Sequence, residues 1–265
     1  ALATILSLIV SALWVLYYFF FGNSLLKIRK PNLRIRFDIL KSIVAIGLAP
    51  FAMQLAASVL VIFMNQGLAK YGGDIAVSAM GIINNIAQLF LMVVFGINQG
   101  AQPIIGFNYG AQKYDRVKSA LKYAIGAATA VVTIGYVSIN LFAPQMIGLF
   151  SSDPELIDIG SRGMKRVMMF MPIIGFQIVS SAYFQAVGKP KQSMLLSLSR
   201  QVLILIPLVL ILPKFFGLIG LFTAGPIADL SSSILTAVFL FFELKNLDKK
   251  HQDEKVKPKT QLGEI

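Results

Sequence analysis

Apolar positions in this chain gather into seven long stretches. Residues 1–26, 42–69, 75–112, 123–152 and 167–188 contain no Asp, Glu, Lys or Arg, and 192–213 and 215–242 hold one each, Arg200 and Asp229. A helix needs about 20 mainly apolar residues to cross a bilayer core of about 30 Å, and every stretch reaches that length. Two-residue alternation is missing, and a membrane-crossing segment must satisfy its own backbone hydrogen bonds, so the stretches predict helices. The pattern predicts an all-α, polytopic membrane protein with seven transmembrane helices.

Punctuation between the stretches sets the expected boundaries. The first helix covers 1–22, and the polar run 23–41, with Pro31 in its middle, reads as a linker. Six helices follow within 42–244, and 245–265 reads as a disordered basic tail. Tyr71-Gly72-Gly73 predicts a tight turn. Ser152 and Asp153 offer a cap, with Pro154 and Glu155 suited to a first turn, so the fifth helix starts near 154. Arg162, Lys165 and Arg166 then lie on an amphipathic entry, where long basic side chains snorkel to the interface. Lys189-Pro190-Lys191 ends that helix, and Pro213 with Lys214 begins the next turn. Pro50, Pro172, Pro207 and Pro226 fall inside helices and predict kinks.

Charge fixes an orientation. The net charge is +12, and only 14% of residues are charged, against about 25% in a soluble domain. Eighteen of the basic residues lie in the linker, in alternate connections and in the tail, whereas the other connections hold five. By the positive-inside rule the basic connections and the C-terminus are cytoplasmic, in a plasma-membrane protein. This clustering also argues for the lipid bilayer as partner rather than nucleic acid. The first helix starts at Ala1 without Met, lacks a signal-peptide pattern and runs from outside to inside, which predicts that upstream helices are missing.

Several chemistries are unsupported. Cysteine is absent and the one histidine, His251, lies in the tail, so no thiolate or His-based metal site is expected. The membrane stretches hold neither paired aspartates nor a Ser–His pair, and there is no P-loop. The expectation is not an enzyme, with no cofactor or metal, but a secondary transporter driven by an ion gradient.

Polar side chains within the apolar stretches are the candidate site. Asn84, Gln88, Phe95, Gln99 and Gln102 share one helical face, and Gln177, Ser181, Phe184 and Gln185 form a shorter row. Gln54, Ser58 and Asn65 mark the second helix. Such amides serve either as interhelical glue or as the lining of a water-accessible cleft. The expected substrate-lining set is Gln54, Asn84, Gln88, Gln177, Phe184 and Gln185. Arg200 and Asp229 are the full charges within the membrane, with coupling to transport and a structural ion pair both open. Gly96–Gly100 and Gly106–Gly110 are G-x-x-x-G patterns that permit close helix approach.

Longer motifs carry a family resemblance. GINQGAQPIIGFNYGAQKYDRVKSAL (96–121), LFSSDPELIDIG (149–160), FQIVSSAYFQAVGKPKQSMLLSLSRQ (176–201) and GLIGLFTAGPIADLSSS (217–233) together resemble the carboxy-terminal half of MATE (multidrug and toxic compound extrusion) transporters. The chain is most similar to their bacterial MepA-like branch. The resemblance implies a twelve-helix protein of two lobes, of which this chain holds the last helix of the first lobe and the whole six-helix second lobe. It implies export of lipophilic, often cationic drugs and dyes in exchange for Na⁺ or H⁺, with the missing N-terminal lobe as partner. A flippase of lipid-linked saccharides is the alternative of related architecture. One branch of the family uses an acidic residue in the first helix of the second lobe. The matching segment here, 50–58, holds Gln54 and no acid, so that site does not carry over.

Overall fold

A computed structural model describes residues 2–21 and 36–256 of the chain. All regular structure among them is helical. In order come α1 (Leu2–Phe21), α2 (Phe37–Gly110), α3 (Tyr114–Gly148), α4 (Pro154–Val167), α5 (Met171–Ala186), α6 (Pro190–Leu198), a π-helical segment (Ser199–Leu205) and α7 (Ile206–Val256). Four helices among the described residues are long and apolar enough to cross a membrane, or five when the bent pair α4–α5 counts as one span. The chain divides into two units at Phe51.

The first unit contains α1, an apolar helix with no buried residue between Thr4 and Phe21. Trp14 is 75% exposed and Phe21 78%. Water does not tolerate such a surface on every side of one helix, so its natural surroundings are lipid or other apolar helices.

The second unit, from Ala52 onward, is a helical bundle. A straight α2 of 74 residues would extend roughly 110 Å at 1.5 Å per residue, several times the bilayer core. Gly73 interrupts it, with φ 65° and ψ −167°. A Cβ on Gly72 would lie 2.4 Å from that of Ala76, and Leu68 and Ala76 share one core cluster, so the chain doubles back there. Gly217, with φ 54° and ψ −136°, does the same for α7. A Cβ on Gly220 would lie 2.5 Å from the carbonyl oxygen of Leu212, a distance no straight helix gives residues eight apart. Both glycines occupy backbone regions that side-chain-bearing residues strongly disfavour.

The turn expected at Tyr71–Gly73 therefore falls where the sequence put it, and the one expected at Pro213–Lys214 does not. Pro213 stays inside the helix, and the reversal waits for Gly217. Proline only removes a hydrogen bond and keeps a helical φ, whereas the reversal needs a positive φ. Pro172 is corrected too, since it lies in the first turn of α5, after a 49° bend from α4, instead of inside a helix. Phe142 departs from helical geometry (φ −122°, ψ 20°) two residues before Pro144, a kink the sequence reading left unmarked.

Two expected boundaries shift. Helix α2 begins at Phe37, inside the expected linker 23–41, of which residues 23–35 lie outside the described residues. The tail expected to be disordered from 245 continues α7 to Val256, and 257–265 lie outside the described residues. Leu247 is buried in the main core cluster, and Lys118 pairs with Asp248, so tertiary contacts hold a segment whose composition is polar.

Packing explains which faces turn inward. On α3, Val117, Leu121, Ala124, Ala128, Val132, Gly135 and Ile139 form one buried stripe at three- and four-residue spacing. Gly175 of α5 sits against it so closely that a Cβ would come within 2.8 Å of the Ala128 carbonyl carbon. The G-x-x-x-G expectation is only partly met. Gly106 meets the Ala186 carbonyl, but among the described residues Gly96, Gly100 and Gly110 have nothing within 4 Å of a Cβ position.

Candidate functional site

The second arm of α2, residues 74–110, has two faces. Ile83, Ile86, Ala87, Val94 and Ile105 are buried in the main core cluster, whereas Asn84, Gln88, Phe95 and Gln99 are exposed and Gln102 is half-buried. The amide row thus points away from its own bundle, on a helix of membrane-crossing length and composition. Gln54 is also exposed, and its carbonyl accepts a 3.0 Å hydrogen bond from Ser58 Oγ.

The α5 row divides. Gln185 is exposed, but Gln177 is buried and its Nε2 donates to Ser232 Oγ at 2.7 Å. Phe184 is 2% exposed and meets Tyr183 edge to face, with ring centroids 5.4 Å apart. Ser181 and Ser197 share a hydrogen bond at 3.3 Å. Here the interhelical-glue reading holds for Gln177, and Phe184 is a core residue that also lines one cavity. Of the six expected lining residues, the two cavities described below include Phe184.

Buried polarity instead concentrates between α5 and α7. Gln177 and Ser180 of α5 and Asp229, Ser232, Ser233, Thr236 and Glu243 of α7 are buried, and the Gln177–Ser232 and Tyr183–Glu243 hydrogen bonds join the two helices. Asp229, Ser232, Ser233 and Thr236 of α7 are related by steps of three (229/232, 233/236) and four (229/233, 232/236), which keeps them on one face. Thr236 Oγ1 donates to the Ser232 carbonyl, while the hydroxyls of Ser180 and Ser233 have no hydrogen-bond partner among the described residues. Sequence reasoning missed this seam, although the Ser231–Ser233 run one turn after Asp229 was a visible signal.

Two ion pairs bound the seam. Arg200, in the π-helical segment, donates from Nε to Asp229 Oδ1 at 2.6 Å, and its second terminal nitrogen lies 2.5 Å from the same oxygen. The π-helical turn, which adds a residue per turn, lies just before Pro207, where a helical hydrogen bond is missing. At the other end Lys189 Nζ donates to Glu243 at 2.5 Å, and Tyr183 Oη donates to the same carboxylate at 3.4 Å. Glu243 and its partners were also missed, because the sequence placed Glu243 at the edge of an apolar stretch with no partner in view.

Of two cavities among the described residues, only the smaller includes a residue of the seam, Glu243. One of about 680 Å³ adjoins the Gly217 turn and is lined by Tyr136 and Asn140 of α3, Arg162, Lys165 and Arg166 of α4, and Met169, Leu218 and Phe222 among others. The second, about 330 Å³, includes Phe184, Gln192, Phe239, Phe242 and Glu243. No cluster of three or more His, Cys, Asp or Glu side chains among the described residues is placed to hold a metal ion.

Comparison with known proteins gives this geometry a context. The sequence profile of the family described as MatE matches residues 50–211. The multidrug export protein MepA of Staphylococcus aureus (strain MSSA476) is 26% identical over 250 residues, which cover 93% of this chain and 54% of that protein. MepA of Staphylococcus haemolyticus (strain JCSC1435) is 24% identical over 246 residues. The chain spans about half the length of the curated relatives it matches. Among solved structures, an inward-facing multidrug resistance MATE family transporter of the MOP superfamily matches with a TM-score of 0.80 and 24% identity, over 93% of this chain and 57% of that one. An outward-facing one matches at 0.77 and 24%, over 93% and 56%.

Proposed function

The chain belongs to the MatE family, and from that premise we propose that it is the carboxy-terminal part of a secondary active multidrug exporter. Its cargo is lipophilic, often cationic compounds, exchanged for Na⁺ or H⁺ by alternating access between two lobes. The observation that carries this reading is the exposed row Asn84, Gln88 and Gln99 on a membrane-length helix. Amides facing lipid are costly, so a row turned away from its own bundle belongs against a water-accessible cleft shared with a second lobe.

Helix count follows the two glycine reversals. Dividing α2 at Gly73 and α7 at Gly217, and taking α4–α5 as one bent span, we read seven spans, one plus six. The missing N-terminal lobe supplies the other wall of the cleft. Loop charge supports a cytoplasmic side of the plasma membrane for Lys189, Glu243 and the C-terminus, with the glycine turns outside. The likeness to both an inward- and an outward-facing structure supports a lobe that keeps its internal fold while access alternates.

The flippase alternative is less well supported. A lipid-linked diphosphate asks for a strongly basic central cavity, and Arg200 is already paired with Asp229. The deciding experiment is ethidium efflux from vesicles carrying the full-length protein under an imposed Na⁺ or proton gradient. Gradient-dependent efflux is expected, and the absence of any for every cationic dye tried would overturn the proposal. Which gradient drives it identifies the coupling ion.

A further inference from the structure

The larger cavity has the wrong sign for a cationic cargo. Arg162, Lys165 and Arg166 line it, and no carboxylate does. Asp158 pairs with Arg162 from one turn away, which leaves the charges of Lys165 and Arg166 uncompensated among the lining residues. Both lie in the last turn of α4. Besides the bases, Tyr136 and Asn140, its wall is apolar: Ile159 and Met169 in and just after α4, and Leu218, Ile219 and Phe222 of α7. A free anion would use the bases and ignore that wall, and an apolar drug would use the wall and leave the bases unpaired.

We propose that this cavity is a binding site for an anionic phospholipid. The phosphate is held by Lys165 and Arg166, and the glycerol and first acyl carbons lie against Met169, Ile219 and Phe222. A volume of about 680 Å³ falls in the range that accommodates a drug-sized ligand. Phosphate recognition by an arginine beside a lysine gives charge-assisted hydrogen bonds that a zwitterionic headgroup, carrying its own cation, partly cancels. The surface at this end also suits a lipid, because Leu149 is 85% exposed and Phe215 75%. Gly163 lines the same cavity, and a Cβ there would come within 2.9 Å of the Phe222 ring, so α4 lies close against the bundle beside the bases. This site is separate from the exposed amide row, and its existence does not depend on which compounds are exported.

The test is native mass spectrometry of the full-length protein in detergent, titrated with short-chain phosphatidylglycerol, short-chain phosphatidylcholine or inorganic phosphate. One phosphatidylglycerol per protein is expected to bind preferentially over phosphatidylcholine. The double substitution Lys165→Gln/Arg166→Gln should weaken it about tenfold, and Lys165→Arg/Arg166→Lys should restore it. Ile219→Glu, which places a carboxylate on an exposed part of the wall, should weaken it with the bases intact. Equal binding of the two lipids, or an unchanged preference in the double variant, would overturn the proposal. Displacement of the lipid by inorganic phosphate at matching concentration would do so too, by showing that the apolar wall contributes nothing. Retained ethidium efflux alongside lost lipid preference in the variants would separate this site from transport.

Discussion

Arg200 and Asp229 lie 29 positions apart and form an ion pair at 2.5 Å. In an uninterrupted helix they would stand roughly 43 Å from each other. The pair exists because Gly217 returns the chain on itself, which brings the π-helical segment alongside the second arm of α7. The two partners differ in surroundings: the Asp229 side chain is 6% exposed and that of Arg200 34%.

That asymmetry predicts unequal single substitutions. Arg200→Leu strands a buried carboxylate and should cost about 3–5 kcal/mol, whereas Asp229→Asn leaves a guanidinium that can reach outward and should cost less. The double substitution Arg200→Leu/Asp229→Leu should recover much of the loss. Thermal unfolding in detergent, run as a double-mutant cycle, measures this, and equal costs for the two single variants would refute the asymmetry. A variant that melts normally yet loses gradient-driven efflux would assign the pair to coupling.

Backbone geometry gives a second prediction. Alanine at Gly73 or Gly217 is forced into a conformation it strongly resists, at a cost of about 1–3 kcal/mol each. Alanine at Gly220 meets the Leu212 carbonyl and should be worse than alanine at Gly225, which has nothing within 4 Å. Matched melting curves of the four variants check the order, and equal losses at 220 and 225 would contradict the hairpin packing.

The amides predict a division between transport and stability. Asn84→Leu/Gln88→Leu should leave the fold intact and reduce efflux, since both residues are exposed on the lobe. Gln177→Leu should instead destabilise by about 1–2 kcal/mol, because Ser232 loses its buried partner. Expression level, melting temperature and ethidium efflux measured on the same preparations distinguish the two outcomes. A stable Gln177→Leu variant with lost efflux would place that residue in the cleft after all.

At the opposite end, Glu243 holds Lys189 and Tyr183 together. Glu243→Gln should loosen that end alone, raising amide hydrogen exchange over 240–256 while the glycine turns stay protected. Leu247→Ala should cost about 2–5 kcal/mol, since that side chain is 1% exposed in the core. Uniform exchange changes along the whole bundle would argue against a local clasp.

Much of the architecture was legible because a bilayer constrains sequence so strongly. Charge-free stretches of sufficient length can do little but form helices, and the Asp153-Pro154-Glu155 start appears as a cap, with Asp153 accepting from the Glu155 amide at 2.9 Å. The Tyr71–Gly73 turn was legible for the same local reason. What failed was partly local, at Pro213, where proline keeps a helical φ, and partly nonlocal, in the tail. Pro213 looked like a turn and is helix, and residues 245–256 looked unstructured because Leu247 and Asp248 find their partners on other helices.

The site divides along the same line. Sequence alone determined that polar side chains recur at helical spacing and that Arg200 and Asp229 are isolated charges among apolar neighbours. It could not say which polar residues face each other, since a helical face has a direction only relative to its neighbours. Packing decided that Asn84 and Gln88 turn outward, that Gln177 turns inward to Ser232, and that three bases of α4 meet the start of an apolar helix arm around one cavity. Periodicity is a property of one helix, whereas a cleft, an ion pair or a cavity is a property of several, and only the tertiary structure brings them together.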